Sequence, residues 1–313
     1  MIVEVINTGT ELLLGSTVNT HLAYLGEELF PLGLRIARQL TVPDGEEIRL
    51  ALADGLTRAD VIIVTGGLGP TTDDVTREIT ADLLGLPLVE DEAAWKAIQE
   101  RFARRRLAMT PRNRRQAQAP KGATVLPNPN GTAPGLYLRH FASAQGVTRH
   151  LFLLPGPPRE LRPMFQDYVV PILKELAPGV AAMQSRRWLV VGLGESMVES
   201  IIGEALLAVP GLELGYCARP GAVEVRCIGA PAALVMRVID QGPQHPCSPA
   251  TCSLLTVRSD LRLNELLHSV GVLRRSERST RNQDKAGGVS VHQDRVIPTD
   301  VVPTECLPPN SGV

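Results

Sequence analysis

The chain has 313 residues, of which 44% are hydrophobic and 21% are charged, and its formal net charge is -1. This near-neutral balance gives no general electrostatic attraction to nucleic acid or to an anionic membrane surface. No apolar stretch reaches the roughly 18 residues that a membrane-spanning helix needs, and the first residues lack the basic segment of an export signal. We therefore expect a cytoplasmic protein of about two domains, with no nucleic-acid partner and no membrane partner.

The first half of the chain alternates predicted strands with predicted helices. The predicted strands are "MIVEVINTG", "LRIARQLTVP", "ADVIIVTGG" and "LFLLPGPPREL", the last of which runs on into a helix. The predicted helices cover residues 18–33, residues 45–58 and the segment "DDVTREITADLLG". This alternation is typical of βαβ units and predicts an α/β fold of three layers, in which helices cover both faces of a mostly parallel sheet.

Residues 92–118 predict a helix followed by a basic turn around Pro111. The segment carries Arg101, Arg104, Arg105, Arg106, Arg112, Arg114 and Arg115. These side chains could attract an anionic ligand, although a solvated helix face explains most of them more simply. Because no aromatic residues interleave with the arginines, the segment does not indicate a stacking surface for nucleic acid.

A change of pattern near residue 180 predicts a second, smaller domain. Residues 182–238 indicate a strand, a helix and then two strands around a turn at Pro220 and Gly221, an α+β arrangement. Residues 240–313 show little periodicity and many Pro, Ser, Arg and Gln residues, which predicts a disordered tail or the product of an aberrant reading frame. The expected domains are therefore 1–175 and 182–238, followed by the tail.

Carboxylates follow two of the predicted strands directly. Asp73 and Asp74 lie in the glycine-rich segment "TGGLGPTTDDVT", and Glu11 follows the first strand. The carboxyl ends of parallel strands meet at one edge of a sheet, where glycines let the backbone approach a phosphate and carboxylates can bind Mg²⁺. We therefore expect Glu11 and Asp74 to hold a divalent metal, Mg²⁺, that assists attack of water on a phosphate. The alternative is that Asp73 or Asp74 only caps the next helix and that Glu11 is an ordinary surface residue.

Several further segments carry a resemblance to a known family. They are "NTGTELLLG", Asn19-Thr20, Val42 to Asp44, "TGGLGPTTDDVT", "NRRQAQAP", "NGTAPG" and "LLPGPPRE". With these segments, residues 1–170 resemble the molybdopterin-binding domain that is shared by the MoaB/Mog proteins and the CinA family (competence/damage-inducible protein A). The second domain resembles the KH-like domain that follows in CinA proteins, although it lacks the GxxG loop that clamps nucleic acid.

The resemblance implies an activity and a set of site residues. The resemblance to CinA proteins implies metal-dependent hydrolysis of ADP-ribose, a small-molecule nucleotide, to AMP and ribose 5-phosphate. It also implies that the protein is a homodimer. The expected catalytic residues are Glu11, Asp44, Asp73 and Asp74. The expected substrate-binding residues are Thr8, Gly9, Thr10, Asn19, Gly66, Gly67, Gly69, Thr71, Thr72, Gln116, Asn130, Gly131, Thr132, Pro155, Gly156 and Glu160.

Two alternatives to ADP-ribose hydrolysis remain. The first is a molybdopterin-binding protein of molybdenum cofactor biosynthesis, and the second is a CinA-like protein without catalytic activity. Many CinA proteins also end in a nicotinamide-nucleotide deamidase domain with an ESCTGG-like segment. Residues 240–313 contain no such segment, so deamidase activity is not expected.

Overall fold

The computed structural model describes residues 1–142 and 146–230. Its first eight strands are β1 (Val3–Thr8), β2 (Ile36–Val42), β3 (Val61–Thr65), β4 (Leu88–Glu90), β5 (Gln118–Pro120), β6 (Thr124–Leu126), β7 (Gly135–Ala142) and β8 (Val147–Leu154). The first seven α-helices are α1 (Thr10–Leu13), α2 (His21–Leu29), α3 (Glu46–Leu56), α4 (Thr76–Leu83), α5 (Glu92–Arg105), α6 (Pro158–Met164) and α7 (Val170–Leu176). A 3₁₀ turn over Phe30–Leu32 follows α2, another over Pro111–Ala117 precedes β5, and a π-helical turn over Phe165–Val169 joins α6 to α7.

Six strands form the central sheet in the order β2-β1-β3-β8-β7-β6. Strands β2, β1, β3 and β8 are parallel to one another, and β7 is antiparallel to both of its neighbours. All residues of β1 and β3 are buried, which agrees with the apolar sequence of β3 and with the central place of both strands in the sheet. The prediction of a mostly parallel sheet is confirmed.

Helices cover both faces of this sheet. On one face, Val5 and Ile63 pack against the side of the molecule that carries α2, α6 and α7, where Leu25 and Phe165 are fully buried. On the other face, Ile62 and its neighbours pack against α3, and the side chains of α4 join the same core. Alternate residues of one strand thus serve different cores, as the pleat of a strand requires. The predicted three-layer arrangement is confirmed.

A smaller unit follows along the chain. It consists of β9 (Gln184–Val191), α8 (Glu195–Leu207), β10 (Glu213–Arg219) and β11 (Ala222–Gly229). Its antiparallel sheet has the order β10-β11-β9, and α8 packs against one face of it. The elements occur in the predicted order, while the likeness to a KH-like domain stays a prediction. Residues 231–238 of the expected second domain, and the expected tail over 240–313, lie outside the described residues.

One helix begins later than the sequence indicates, and another ends where a turn was expected to follow it. The helix expected from Asp73 begins only at Thr76, because the segment before it folds back on itself as a loop. The helix predicted at the start of residues 92–118 ends at Arg105, before the predicted turn around Pro111, and Arg106 adopts a left-handed conformation with φ 53°. Among the described residues, no helix is both long enough and apolar enough to cross a membrane.

Candidate functional site

A pocket of about 360 Å³ lies at the edge of the sheet where β1, β2, β3 and β8 end. We call it the sheet-edge pocket. The predicted site residues that line it are Thr8, Gly9, Glu11, Asp44, Gly66, Gly67, Gly69, Asp73, Asp74, Gln116, Thr132, Pro155, Gly156 and Glu160. Thr10, Asn19, Thr71, Thr72, Asn130 and Gly131 do not line it, although Thr10 and Thr71 donate hydrogen bonds to the lining residues Asp44 and Asp74. Parallel strand ends thus bring together side chains from distant parts of the sequence.

The turn after β3, residues 66–74, is the glycine turn of this pocket. Gly66 has φ 105° and Gly67 has φ 67°, conformations that residues with a side chain rarely adopt. A Cβ atom on Gly66 would lie 2.5 Å from the carbonyl oxygen of Thr8, and one on Gly67 would collide with the hydroxyl of Thr76. Glycine at these positions therefore lets the turn pack directly against the end of β1 and the start of α4.

Two arginines hold the glycine turn in place. Arg77 is only 2% exposed and donates hydrogen bonds to the carbonyl oxygens of Leu68 (2.9 Å) and Arg115 (2.6 Å). Arg115 in turn donates to the carbonyl oxygens of Thr71 (3.2 Å) and Asp74 (3.3 Å). Burial lowers the pKa of Arg77. The sequence analysis missed both roles, because an arginine on a predicted helix is usually exposed and no motif marks these two.

The carboxylates of Asp44 and Asp74 each close a loop. Asp44 accepts hydrogen bonds from the backbone N–H (3.1 Å) and the hydroxyl (3.2 Å) of Thr10. Asp74 accepts from the N–H of Thr71 (2.9 Å) and from its hydroxyl. Neither Asp73 nor Asp74 caps α4, whose N-cap residue Val75 makes no side-chain capping bond. The capping interpretation is therefore wrong.

The sheet-edge pocket is lined by acidic side chains. Its carboxylates are those of Glu11, Asp44, Asp73, Asp74 and Glu160, and its described lining contains no lysine or arginine. Such a pocket repels a bare phosphate and favours either a cation or a ligand that is rich in N–H donors. Within residues 1–142 and 146–230, no three His, Cys, Asp or Glu side chains are grouped to hold a metal ion. The donor oxygens suit Mg²⁺ but do not form a cage for it, so Mg²⁺ at Glu11 and Asp74 stays a prediction.

Gln116 lines the pocket and has one unpaired acceptor in its side chain. Its side chain is 1% exposed, and its Nε2 donates to the hydroxyl of Thr132 at 3.0 Å. Its Oε1 is buried and has no hydrogen-bond partner among the described residues. A buried polar atom without a partner costs free energy, so a ligand N–H that reached Oε1 would be bound favourably.

Asn128 builds the wall formed by the "NGT" loop, and the sequence analysis did not single it out. Its Oδ1 accepts from the N–H groups of Asn130 (3.0 Å) and Gly131 (2.7 Å). Its Nδ2 donates to the carbonyl oxygen of Ala133 (2.7 Å) and to Oε2 of Glu160 (2.9 Å). The repeated Pro-Asn in "PNPNGT" was the available signal, since Asn side chains often bond to nearby backbone groups in turns.

Beneath the pocket lies a network of polar side chains. Asn7 donates to the hydroxyl of Thr65 (2.7 Å) and accepts from Asn19 (2.9 Å) and Gln39 (2.8 Å). His21 contacts the same Thr65 hydroxyl through Nδ1 at 3.1 Å. Asn19, expected to bind substrate, thus supports the sheet edge instead of lining the pocket. Burial lowers the pKa of His21 below its ordinary value of 6.5.

This lowered pKa predicts a pH dependence of stability. The unfolded chain binds a proton at His21 below about pH 6.5, whereas the folded chain binds it only at a lower pH. His21 therefore destabilises the fold as the pH falls through 6.5. We expect His21→Gln to give a shallower decline of the unfolding free energy below pH 6.5 than the unmodified protein. Urea denaturation at a series of pH values measures this slope. Parallel declines for the two proteins would contradict the prediction.

The comparisons with known proteins agree with this architecture. The family model described as "Probable molybdopterin binding domain" matches residues 4–175. A CinA-like protein of Akkermansia muciniphila is 47% identical over 232 residues, which are 74% of this chain and 55% of that protein. A "Putative competence-damage inducible protein" of Desulforamulus reducens is 41% identical over 232 residues, again 74% of this chain and 55% of that protein. The chain thus spans about half the length of the curated relatives it matches.

Two solved structures are also similar to part of this chain. The protein CinA from Thermoplasma acidophilum, described as having unknown function, is 33% identical, covers 55% of this chain and 99% of its own, and has a TM-score of 0.49. The molybdopterin biosynthesis enzyme MoaB from Thermus thermophilus is 20% identical, covers 57% of this chain and 96% of its own, and has a TM-score of 0.39.

These comparisons correct the expected activity. The predicted hydrolysis of ADP-ribose is wrong, because the matched family is described by molybdopterin binding and the relatives' names give no such hydrolase. The expected resemblance to CinA and MoaB/Mog-type proteins is confirmed. The chain belongs to the family of the "Probable molybdopterin binding domain", and its relatives include CinA-like proteins.

Proposed function

We propose that the sheet-edge pocket binds molybdopterin or a closely related phosphorylated pterin. The family description supports this choice of ligand class. The observation that carries it is the unpaired buried acceptor of Gln116 in a pocket lined by carboxylates. The volume of about 360 Å³ lies in the range of small-molecule sites.

The chemistry of a pterin ring suits these acceptors. One edge of the ring presents an amino group beside a ring N–H, so two donors point in nearly the same direction. Asp44 and Asp74 already accept two hydrogen bonds each from the loops that they close. Glu160 accepts one, from Asn128, and Gln116 has its Oε1 free. We therefore assign the donor edge of the pterin to Glu160 and Gln116.

We expect Mg²⁺ to bind only together with a phosphorylated ligand. Mg²⁺ commonly takes one or two protein carboxylates plus phosphate oxygens and water. Glu11 and Asp74 would supply the carboxylates, and the ion would reduce the repulsion between a ligand phosphate and the acidic lining. The proposal is one of binding and requires no bond to be broken. Activities of the longer relatives are not carried over, because the chain matches only about half of their length.

Pterin fluorescence tests the proposal. We expect the purified protein to bind molybdopterin, or to retain a fluorescent pterin through purification. Gln116→Leu should weaken binding at least about tenfold, because a ligand N–H then loses its acceptor in a buried place. Gln99→Leu makes the same chemical change on the exposed face of α5 and should leave binding unchanged. Absence of pterin binding by the unmodified protein, or equal binding by the two variants, would refute the proposal.

A further inference from the structure

A second pocket, of about 430 Å³, is lined largely by arginines, and we call it the arginine pocket. Arg101, Arg104 and Arg105 reach it from α5, and Arg159 reaches it from the first turn of α6. Its remaining lining residues are Pro129 and Asn130. Two separate helices therefore direct positive charge into one cavity.

Little negative charge balances these arginines. Arg101 donates hydrogen bonds to the carbonyl oxygens of Pro129 (2.6 Å) and Asn130. Arg159 lies 3.8 Å from the carboxylate of Glu160, a long ion pair on an exposed side chain. Ion pairs formed by Arg104 or Arg105 are absent from the described part of the chain.

The environment of Arg101 shows the same imbalance. Burial lowers the pKa of Arg101, and the positive charges of Arg105 and Arg104 lower that pKa further, whereas Glu160 raises it. Like charges held together destabilise one another, and a bound anion would relieve this repulsion.

The arginine pocket lies close to the sheet-edge pocket. A third cavity, of about 500 Å³, shares Arg101 and Pro129 with the arginine pocket and Thr132 with the sheet-edge pocket. Arg159 and Glu160 are consecutive residues of α6, yet Arg159 lines the arginine pocket and Glu160 lines the sheet-edge pocket. Neighbouring cavities of opposite charge thus lie on the two sides of the same "NGT" loop.

We propose that Arg101, Arg104, Arg105 and Arg159 form a binding site for the phosphate or diphosphate group of a phosphorylated small molecule. Guanidinium groups bind phosphate oxygens through paired, charge-assisted hydrogen bonds. Without a cation the acidic sheet-edge pocket repels phosphate, whereas the arginine pocket attracts it, so one ligand with a heterocyclic end and a phosphate end would match both. That match rests on the proposed function, whereas the phosphate site itself rests on the arginines alone.

Inorganic pyrophosphate is the probe for this site. Calorimetric titration at constant ionic strength should show binding to the unmodified protein. The double variant Arg104→Gln/Arg105→Gln should bind at least about tenfold more weakly, because charge-assisted hydrogen bonds to phosphate are lost. The control Arg112→Gln/Lys121→Gln removes two exposed positive charges outside the pocket and should bind within about twofold of the unmodified protein. Absence of pyrophosphate binding, or equal losses in the two double variants, would overturn the proposal.

Two further titrations separate the sources of the phosphate. If one ligand spans both pockets, Arg104→Gln/Arg105→Gln weakens the binding of a phosphorylated pterin but not of its dephosphorylated form. If the phosphate belongs to a second molecule, pyrophosphate and the pterin bind together without competing. Either result supports the arginine site. If the unmodified protein binds no pterin but binds pyrophosphate through these arginines, the proposed function alone is refuted.

Discussion

Arg77→Met is expected to lower the free energy of unfolding by about 3 to 5 kcal/mol. The substitution removes the donors for the carbonyl oxygens of Leu68 and Arg115, and it leaves the buried carbonyl of Leu68 without this partner while that of Arg115 keeps the N–H of Gln118. It also replaces one of the largest fully buried side chains with a shorter one, which adds a cavity. Denaturation with guanidinium chloride, followed by circular dichroism, measures the loss.

Arg49→Met is the control for this experiment. Arg49 lies on α3 and pairs with Asp82 and Glu46, whose side chains are largely exposed. Exposed ion pairs contribute little to stability, so the control should unfold almost like the unmodified protein. If both variants lost the same small amount, Arg77 would not anchor the glycine turn.

Gly66→Ala is expected to cost about 2 to 4 kcal/mol of stability and to abolish pterin binding. An alanine at φ 105° is strained, and its Cβ would lie 2.5 Å from the carbonyl oxygen and 2.6 Å from the hydroxyl of Thr8. Because Thr8 and Gly66 both line the sheet-edge pocket, any shift that relieves the collision changes the pocket itself. Thermal denaturation and pterin titration of the same sample measure both effects.

Gly122→Ala separates backbone strain from collision. Gly122 also has a positive φ, 89°, but a Cβ there would meet nothing within 4 Å. We expect this control to lose only about 1 kcal/mol, the cost of the left-handed conformation alone. Equal destabilisation by the two alanine variants would show that the close approach of Gly66 to Thr8 does not matter.

The central sheet could be predicted because its signal is local. The apolar residues of β1, β3 and the end of β8 stand close together in the sequence, and the alternation of these strands with amphipathic helices indicates parallel pairing. The position of the glycine turn at the end of β3 followed from the same pattern. The start of α4 could not be predicted from this pattern, because the hydrogen bonds between Thr71 and Asp74 replace the first helical turn.

The supports of the pocket could not be predicted from local patterns. Arg77 and Arg115 are 38 positions apart, and only the folded chain shows that one bonds to the carbonyl of the other. The predicted hydrolysis of ADP-ribose was an implication of the resemblance to CinA proteins, and no local pattern in the sequence could test it. Glycines beside carboxylates indicate a phosphorylated ligand in general, whereas the acidic lining and the unpaired oxygen of Gln116 emerge only when several loops are assembled.

A crystal structure of the protein with bound molybdopterin tests the central claim most directly. We expect the pterin ring in the sheet-edge pocket, with its donor edge within hydrogen-bonding distance of Oε1 of Gln116 and of the carboxylate of Glu160. A pterin bound elsewhere on the chain, with the sheet-edge pocket free of it, would contradict the proposed function.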